Sequence, residues 1–130
     1  MRHLLSLACL ALVLVSANAY RHAQDAPAAN RNPLRVGIVG LVHGHVQGFF
    51  EHSLHDPAIE LVGIAEPDQA PFARYSKQFG IDQNLFFPNL EEMLTRTHPQ
   101  AVLVYTNTYD HRRVVEICAR HGVHVMMEKP

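Results

Sequence analysis

The stretch RVGIVG at residues 35–40, continued by LVHGH at 41–45, decides the fold of this chain. It begins as a short, almost continuously apolar run that ends on glycine, the pattern of a parallel strand buried on both faces. Apolar residues then recur at helical spacing, which predicts an amphipathic helix over about residues 44–55. A buried strand that passes through a tight glycine turn into a helix is the first half of a βαβ unit.

The same alternation continues along the rest of the chain. Further strands are predicted over 59–65, 85–87, 101–105 and 123–127. Further helices are predicted over 69–79, after Asn89, which can cap the helix with Glu92 at the capping-box position, and over 110–121. Strands that alternate with helices imply a parallel sheet, and right-handed crossovers favour a doubly wound α/β fold with three αβα layers. We predict the strand order 3-2-1-4-5, with a ligand crevice between strands 1 and 4 at their carboxyl ends.

Residues 1–19 have the layout of a secretory signal peptide, with a basic start, an apolar run over 4–15 and the small residues Ala17 and Ala19. The apolar run is too short for a membrane span. We therefore predict cleavage after Ala19, export to the periplasm or the medium, and no membrane association afterwards; an uncleaved anchor is the alternative. Residues 20–33, rich in Ala, Asn and Pro, are predicted to be a flexible linker before a domain at 34–130.

Charge and cysteine content restrict the possible partners of this 130-residue chain. Lys and Arg number 11 against 12 Asp and Glu, for a net charge of -1, so no basic excess is present to neutralise a nucleic-acid backbone. The two cysteines, Cys9 and Cys118, cannot form a disulfide framework. The composition therefore argues against a nucleic-acid partner and a disulfide-stapled fold.

The turn after the first strand is compared with the dinucleotide fingerprint Gly-x-Gly-x-x-Gly. Gly40 fills the first position, but Val42 and His45 stand where the second and third glycines are expected. Gly44 would shift the start of the helix and restore room. His43 is a candidate donor to a phosphate, through its imidazole or the neighbouring backbone N–H. The turn is thus either a dinucleotide phosphate site or a plain strand–helix connection.

Glu66 ends the second predicted strand. A carboxylate at this position can accept hydrogen bonds from both hydroxyls of an adenosine ribose, and it would repel a 2′-phosphate. This predicts NAD as the cofactor, in preference to NADP. The alternative interpretation is a solvated acid at the end of a strand.

Polar residues also follow the fourth and fifth predicted strands. Thr106, Asn107 and His111 come after strand 4, and Glu128 and Lys129 after strand 5. Ligands of such sheets bind at this carboxyl edge. We expect Lys129 to be partly desolvated behind an apolar strand and oriented by Glu128, which would suit proton transfer. An ordinary exposed strand end is the alternative.

Two histidine pairs, His43-x-His45 and His52-x-x-His55, have spacings found in metal sites. Zinc sites use three or four protein ligands, and no third ligand is evident beside either pair. We therefore predict no metal site.

Together these segments resemble the N-terminal half of the Gfo/Idh/MocA oxidoreductases. The matching stretches are RVGIVG at 35–40, ELVGIAEPD at 60–68, NLEEML at 89–94, AVLVYTNTYDH at 101–111 and GVHVMMEKP at 122–130. The resemblance implies a Rossmann domain that binds NAD(P). It further implies that Lys129 lies near the nicotinamide and assists hydride transfer at a sugar-like alcohol. Thr106, Asn107 and His111 would line the cofactor crevice.

The chain also departs from the pattern of that family. Val42 and His45 replace two fingerprint glycines, and Asn107 stands where proline is usual. Family enzymes continue into a second α/β domain that carries the substrate pocket, further catalytic residues and the oligomer interface. On that basis we expect this chain to be a fragment that is inactive alone and to form homo-oligomers only in a full-length form. Two other functions stay open: an NAD-dependent, redox-neutral glycoside hydrolase, and a non-enzymatic binding module that has lost its cofactor.

Overall fold

The computed structural model describes residues 32–129. The predicted signal peptide, and all of the predicted linker except residues 32–33, lie outside the described residues. No helix between residues 32 and 129 has both the length and the apolar character that crossing a bilayer requires.

Five strands form one sheet in which every neighbouring pair is parallel. They are β1 (Leu34–Val39), β2 (Ile59–Ala65), β3 (Phe86–Phe87), β4 (Ala101–Val104) and β5 (His124–Met127). Their order is β3-β2-β1-β4-β5, so the predicted order is confirmed. Strands β2 and β3 are added on one side of β1, and β4 and β5 on the other. The switch between the two sides lies between β1 and β4, which is where the crevice was predicted.

Four α-helices cover the two faces of the sheet. They are α1 (His45–His52), α2 (Gln69–Phe79), α3 (Leu90–Thr97) and α4 (His111–Arg120). Alternate residues of β1 point to opposite faces: Val36 and Ile38 pack with α1 and α2, whereas Val39 packs with α3 and α4. The predicted three-layer αβα architecture is confirmed.

Several predicted boundaries were wrong, by one to three residues. Helix α1 ends at His52, about a turn earlier than predicted. The third strand is only Phe86–Phe87, because Gln83–Leu85 forms a 3₁₀ turn. The carboxylate of Asp82 accepts a hydrogen bond from the backbone N–H of Asn84, 2.9 Å away, which favours this turn over an extended start.

Helices α2 and α3 begin with capping residues. The Asp68 carboxylate accepts from the N–H of Ala70, and the Asn89 side chain accepts from the N–H of Glu92, both at 2.9 Å. The cap predicted at Asn89 is confirmed. Gly80 ends α2 with a φ of 68°, a left-handed conformation that favours glycine.

Two glycines make room for α3 in the middle of the sheet. Gly37 and Gly63 are partners in the β1–β2 register. A Cβ atom at Gly37 would lie 2.6 Å from Cε of Met93, and one at Gly63 would lie 2.8 Å from Cγ of the same side chain. The fully buried Met93 therefore occupies space that two missing side chains leave free.

Candidate functional site

The turn after β1 is held tightly against the end of β4. Gly40 has a φ of 78°, and a Cβ atom there would lie 2.6 Å from Cγ2 of Thr106. The backbone N–H of His43 donates to the carbonyl of Tyr105 over 2.9 Å. Only glycine fits position 40, because both its conformation and its surroundings exclude a side chain.

The outer part of the same turn is open. The side chain of Val42 is 68% exposed, and a Cβ atom at Gly44 would meet no atom within 4 Å. Among residues 32–129 the backbone N–H groups of Val42 and Gly44 find no acceptor. They lie immediately before α1, where the helix dipole also favours an anion. The turn can therefore receive a phosphate despite its missing glycines.

Glu66 lies at the carboxyl edge, as predicted, but beneath the first turn. The residue is 3% exposed, so it is not the solvated acid of the alternative interpretation. Its Oε2 accepts from the N–H of Leu41 at 2.8 Å, and its Oε1 accepts from the N–H of Asp68 at 3.0 Å. Glu66 thus joins the first turn to the end of β2.

A cavity of about 310 Å³ opens beside this edge, on the α3 and α4 side of the sheet. Its lining comprises Val39, Pro67, Pro88, Asn89, Leu90, Glu91, Thr106, Asp110, Arg113, Val114 and Ile117. Thr106 is the one predicted site residue in this set. The contribution of Pro88, Asn89 and Leu90 was missed, although their place after β3 puts them at the same edge and was visible in the sequence.

Asn107 and His111 do not line this cavity. The side chain of Asn107 folds back on its own loop, where Nδ2 donates to Oδ2 of Asp110 over 2.8 Å. His111 is buried at the start of α4, and its Nε2 has no hydrogen-bond partner in the described part of the chain.

The last described residues come close to the first turn. Nδ1 of His45 lies 2.9 Å from Oε1 of Glu128, and the ring centroids of His43 and His45 are 4.7 Å apart. The hydrogen bond from His45 lowers the pKa of the Glu128 carboxyl below its usual value. The negative charge of Glu128 in turn adds to the effect of burial, which raises the pKa of Tyr105. Glu128 is thus a third potential ligand beside His43 and His45, which the spacing of the two histidines did not reveal.

Lys129 is exposed, and the expected desolvation of its side chain is wrong for the described structure. The preceding strand explains this difference. Met126 and Met127 are 65% and 38% exposed, so β5 is not a strand buried on both faces. The apolar sequence of β5 predicted the strand but not how much of it is covered.

A doubly wound parallel sheet with an open glycine turn and a cavity at its carboxyl edge defines a Rossmann-type domain. Residues 34–130 match the family model of Gfo/Idh/MocA, described as "Oxidoreductase family, NAD-binding Rossmann fold". The chain belongs to this family, and the match covers its NAD-binding domain.

Several solved structures have the same fold. The WlbA dehydrogenase from Chromobacterium violaceum, in complex with NADH and UDP-GlcNAcA, is 25% identical with a TM-score of 0.66, and the match covers 80% of this chain and 29% of that one. The myo-inositol 2-dehydrogenase from Lactobacillus plantarum is 22% identical with a TM-score of 0.63, covering 75% and 28%. The 3-ketoreductase KijD10 from Actinomadura kijaniata, with TDP-benzene and NADP, is 25% identical with a TM-score of 0.63, covering 76% and 31%.

The described domain therefore corresponds to under a third of the length of each of these proteins. A comparison with functionally curated proteins found no match.

Proposed function

We propose that this chain is the NAD-binding part of an oxidoreductase that transfers a hydride between NAD and a sugar-like or polyol substrate. The observation that carries the proposal is the open first turn, whose unpaired N–H groups at Val42 and Gly44 lie at the start of α1. These groups and the helix dipole form a site for the diphosphate of a dinucleotide. Membership of an oxidoreductase family supports the reaction class.

The surrounding residues fit the other parts of the cofactor. The adenosine would occupy the 310 Å³ cavity, between Pro88, Leu90 and Thr106. His43, intermediate in exposure and next to the free donors, would add a contact to the diphosphate. The nicotinamide, when bound, supplies the hydride acceptor or donor. Lys129, exposed beyond β5, would hold the proton of the substrate hydroxyl, with Glu128 beside it.

We further propose NAD rather than NADP as the preferred cofactor. The negative charge of Glu66 lies under the turn, and it disfavours a second phosphate nearby even though both of its oxygens already bind backbone N–H groups. Arg113 lines the cavity, and its positive charge would favour the additional phosphate of NADP. Titration with both dinucleotides measures the balance. Tighter binding of NADP than of NAD by the unmodified chain, together with a loss of NADP affinity alone in Arg113→Met, would reverse the assignment.

The decisive experiment is calorimetric titration of the full chain with NAD. We expect one-to-one binding and a rise in unfolding free energy of about 2.7 kcal/mol when NAD is present at about 100 times its Kd. The informative variant is Gly44→Leu. The added side chain meets no protein atom and the backbone of Gly44 is right-handed helical, so the fold should tolerate it. It would nevertheless occupy the approach to the diphosphate, and we expect at least a tenfold loss of NAD affinity.

The matched control is Gly48→Leu. Gly48 also has open space around its Cβ position but lies inside α1, away from the free N–H groups. We expect this variant to bind NAD like the unmodified chain. Absence of binding by the unmodified chain, or equal affinities in both leucine variants, would contradict the proposed diphosphate site.

A second candidate is a binding module that has kept the fold without the dinucleotide. The occupied carboxylate of Glu66 favours it, because two backbone N–H groups already take the oxygens expected to bind ribose. The same titration separates the two candidates, since such a module would give neither heat nor thermal stabilisation with NAD or NADP.

We also propose that the protein is exported, on the basis of the signal-peptide pattern in residues 1–19. N-terminal sequencing of the protein from the extracytoplasmic fraction of an expressing bacterium tests this. The expected mature chain begins at Tyr20. An intact Met1 in the cytoplasmic fraction would refute export.

A further inference from the structure

Three potential metal ligands converge where the first turn meets the end of β5. One ligand atom from each of His43, His45 and Glu128 lies within 4.8 Å of the others. We propose that these three side chains bind a divalent transition-metal ion of the Zn²⁺ type. The proposal does not depend on dinucleotide binding, because all three ligands belong to the protein.

The donor set suits such an ion. Two imidazole nitrogens and one carboxylate oxygen are the protein ligands of many catalytic zinc sites, and they leave at least one coordination position open. Ligand atoms 2.0–2.2 Å from a tetrahedral ion lie about 3.4 Å apart. The observed separations, 2.9 Å for His45–Glu128 and at most 4.8 Å overall, need only small side-chain rotations to reach this geometry.

The backbone holds the ligands in place before any ion binds. The N–H of His43 donates to the carbonyl of Tyr105 at 2.9 Å, and the carbonyl of His43 accepts from the N–H of Val46 at 3.1 Å. On the other side, the N–H of Glu128 lies 3.4 Å from the carbonyl of Val104. The backbones of His43 and Glu128 are therefore both hydrogen-bonded to the end of β4. This brings the first turn and Glu128 together, although His45 and Glu128 are 83 positions apart in the sequence.

A simple ion pair does not account for this arrangement as well. One histidine would be enough to pair with Glu128, yet a second imidazole, that of His43, also lies at this carboxylate. Its ring is edge-on to that of His45, and its Nδ1 accepts from the backbone N–H of His45 over 3.4 Å.

The open coordination position gives the site a chemical use. The carboxylate of Glu128 is 19% exposed and precedes Lys129, so the ion would lie at the carboxyl edge of the sheet. It would accept an oxygen ligand there, from a phosphate or a substrate hydroxyl. Lys129 is the neighbouring cation, and its exposed side chain can turn towards solvent.

The test is titration of the chelator-treated full chain with Co²⁺, followed by visible absorption, and then displacement by Zn²⁺. We expect one Co²⁺ ion per chain at this site, with ligand-field bands that Zn²⁺ abolishes. His45→Gln keeps a polar contact with Glu128 while removing the imidazole. His45→Gln and Glu128→Gln should each weaken Co²⁺ binding at least tenfold. Circular dichroism should show that both variants remain folded.

The control is the other histidine pair, changed together by His52→Gln and His55→Gln. This variant should give the spectrum and affinity of the unmodified chain. Absence of Co²⁺ bands in the unmodified chain would overturn the proposal. Bands in His45→Gln or Glu128→Gln that are as strong as those of the unmodified chain would overturn it as well, as would loss of the bands in the control variant.

Discussion

The backbone N–H of Leu41 donates to Oε2 of Glu66 over 2.8 Å, across the carboxyl ends of β1 and β2. Leu41 is 2% exposed and Glu66 is 3% exposed, so no water competes for this bond. The other carboxylate oxygen accepts from Asp68, just before α2. One side chain therefore fixes both the first turn and the start of the second helix, and the shape of the candidate site depends on it.

Glu66→Ala should destabilise the domain by about 1–3 kcal/mol, because it leaves the buried N–H of Leu41 without an acceptor. Urea denaturation followed by circular dichroism measures this change. The control is Glu60→Ala, which removes only the half-exposed pair with Arg35 and should cost about 1 kcal/mol or less. Equal losses in the two variants would show that the buried bonds of Glu66 contribute little.

Gly63→Ala should be more destabilising than Gly37→Ala. The new methyl group at position 63 would press on Cγ of Met93 and on the ring of Phe87, 2.8 and 2.9 Å away. The one at position 37 would meet mainly Cε, the last atom of the Met93 side chain, which can shift more easily. We expect a loss of about 1–3 kcal/mol for Gly63→Ala.

A double-mutant cycle tests the assignment of this clash to Met93. Adding Met93→Ala to either alanine variant removes the Cγ, Sδ and Cε atoms of Met93 that collide, so the combined loss should be smaller than the sum of the single losses. Strict additivity would mean that Met93 is not what excludes a side chain from the two glycines.

The thiol of Cys118 should be inert in the native protein. Burial raises its pKa to about 11, and the side chain is fully buried against α3 and the sheet. At pH 8 only about one thiol in a thousand would then be ionised, and reagents attack the thiolate. Iodoacetamide labelling resolved by peptide mass spectrometry should modify Cys118 only after denaturation. Rapid labelling of the native chain at pH 8 would contradict this expectation.

Glu91 should make the packing of α3 on α4 sensitive to acid. Its carboxylate pairs with Nε2 of His121 at 2.7 Å and with Arg120 at 2.8 Å, and these hydrogen bonds, that of His121 foremost, lower the pKa of Glu91. A depressed folded-state pKa adds stability above the unfolded value of 4.5, and that contribution is lost as the pH falls through the folded value.

Glu91→Gln should therefore lower the melting temperature at pH 7 and have a smaller effect at pH 3. Melting curves at both pH values measure the difference, and Glu92→Gln, which removes only the exposed contact with Arg96, is the control on the same helix. A Glu91→Gln effect that is the same at both pH values would rule out this linkage.

Local sequence patterns were sufficient to predict the architecture. The apolar run at 35–40 and the alternation after it led to the predicted strand order, and the cap at Asn89 was predicted from its residue type and from Glu92 three positions later. Such features depend on residues within one or two turns of each other. Where a local side-chain contact favours another conformation, as at Asp82, the predicted start of the strand was one residue too early.

The polar contacts of the site could not be predicted in the same way. The partner of Glu66 is a backbone N–H 25 positions away, and the partner of His45 is 83 positions away. The order of the strands places these groups at a common edge, but the side-chain rotamers decide whether a carboxylate faces a ligand or a backbone amide. The exposure of Lys129 likewise depends on what covers β5, which its own apolar residues do not specify.

The contact between Gly40 and Thr106 has a practical consequence for protein engineering. A mutagenesis library aimed at this crevice should hold positions 40 and 106 constant as a unit, since any side chain at 40 would collide with the backbone at 106. Diversity belongs instead at Val42 and Gly44, whose surroundings are open to solvent. Ligand preference can be varied there with little loss of folded protein.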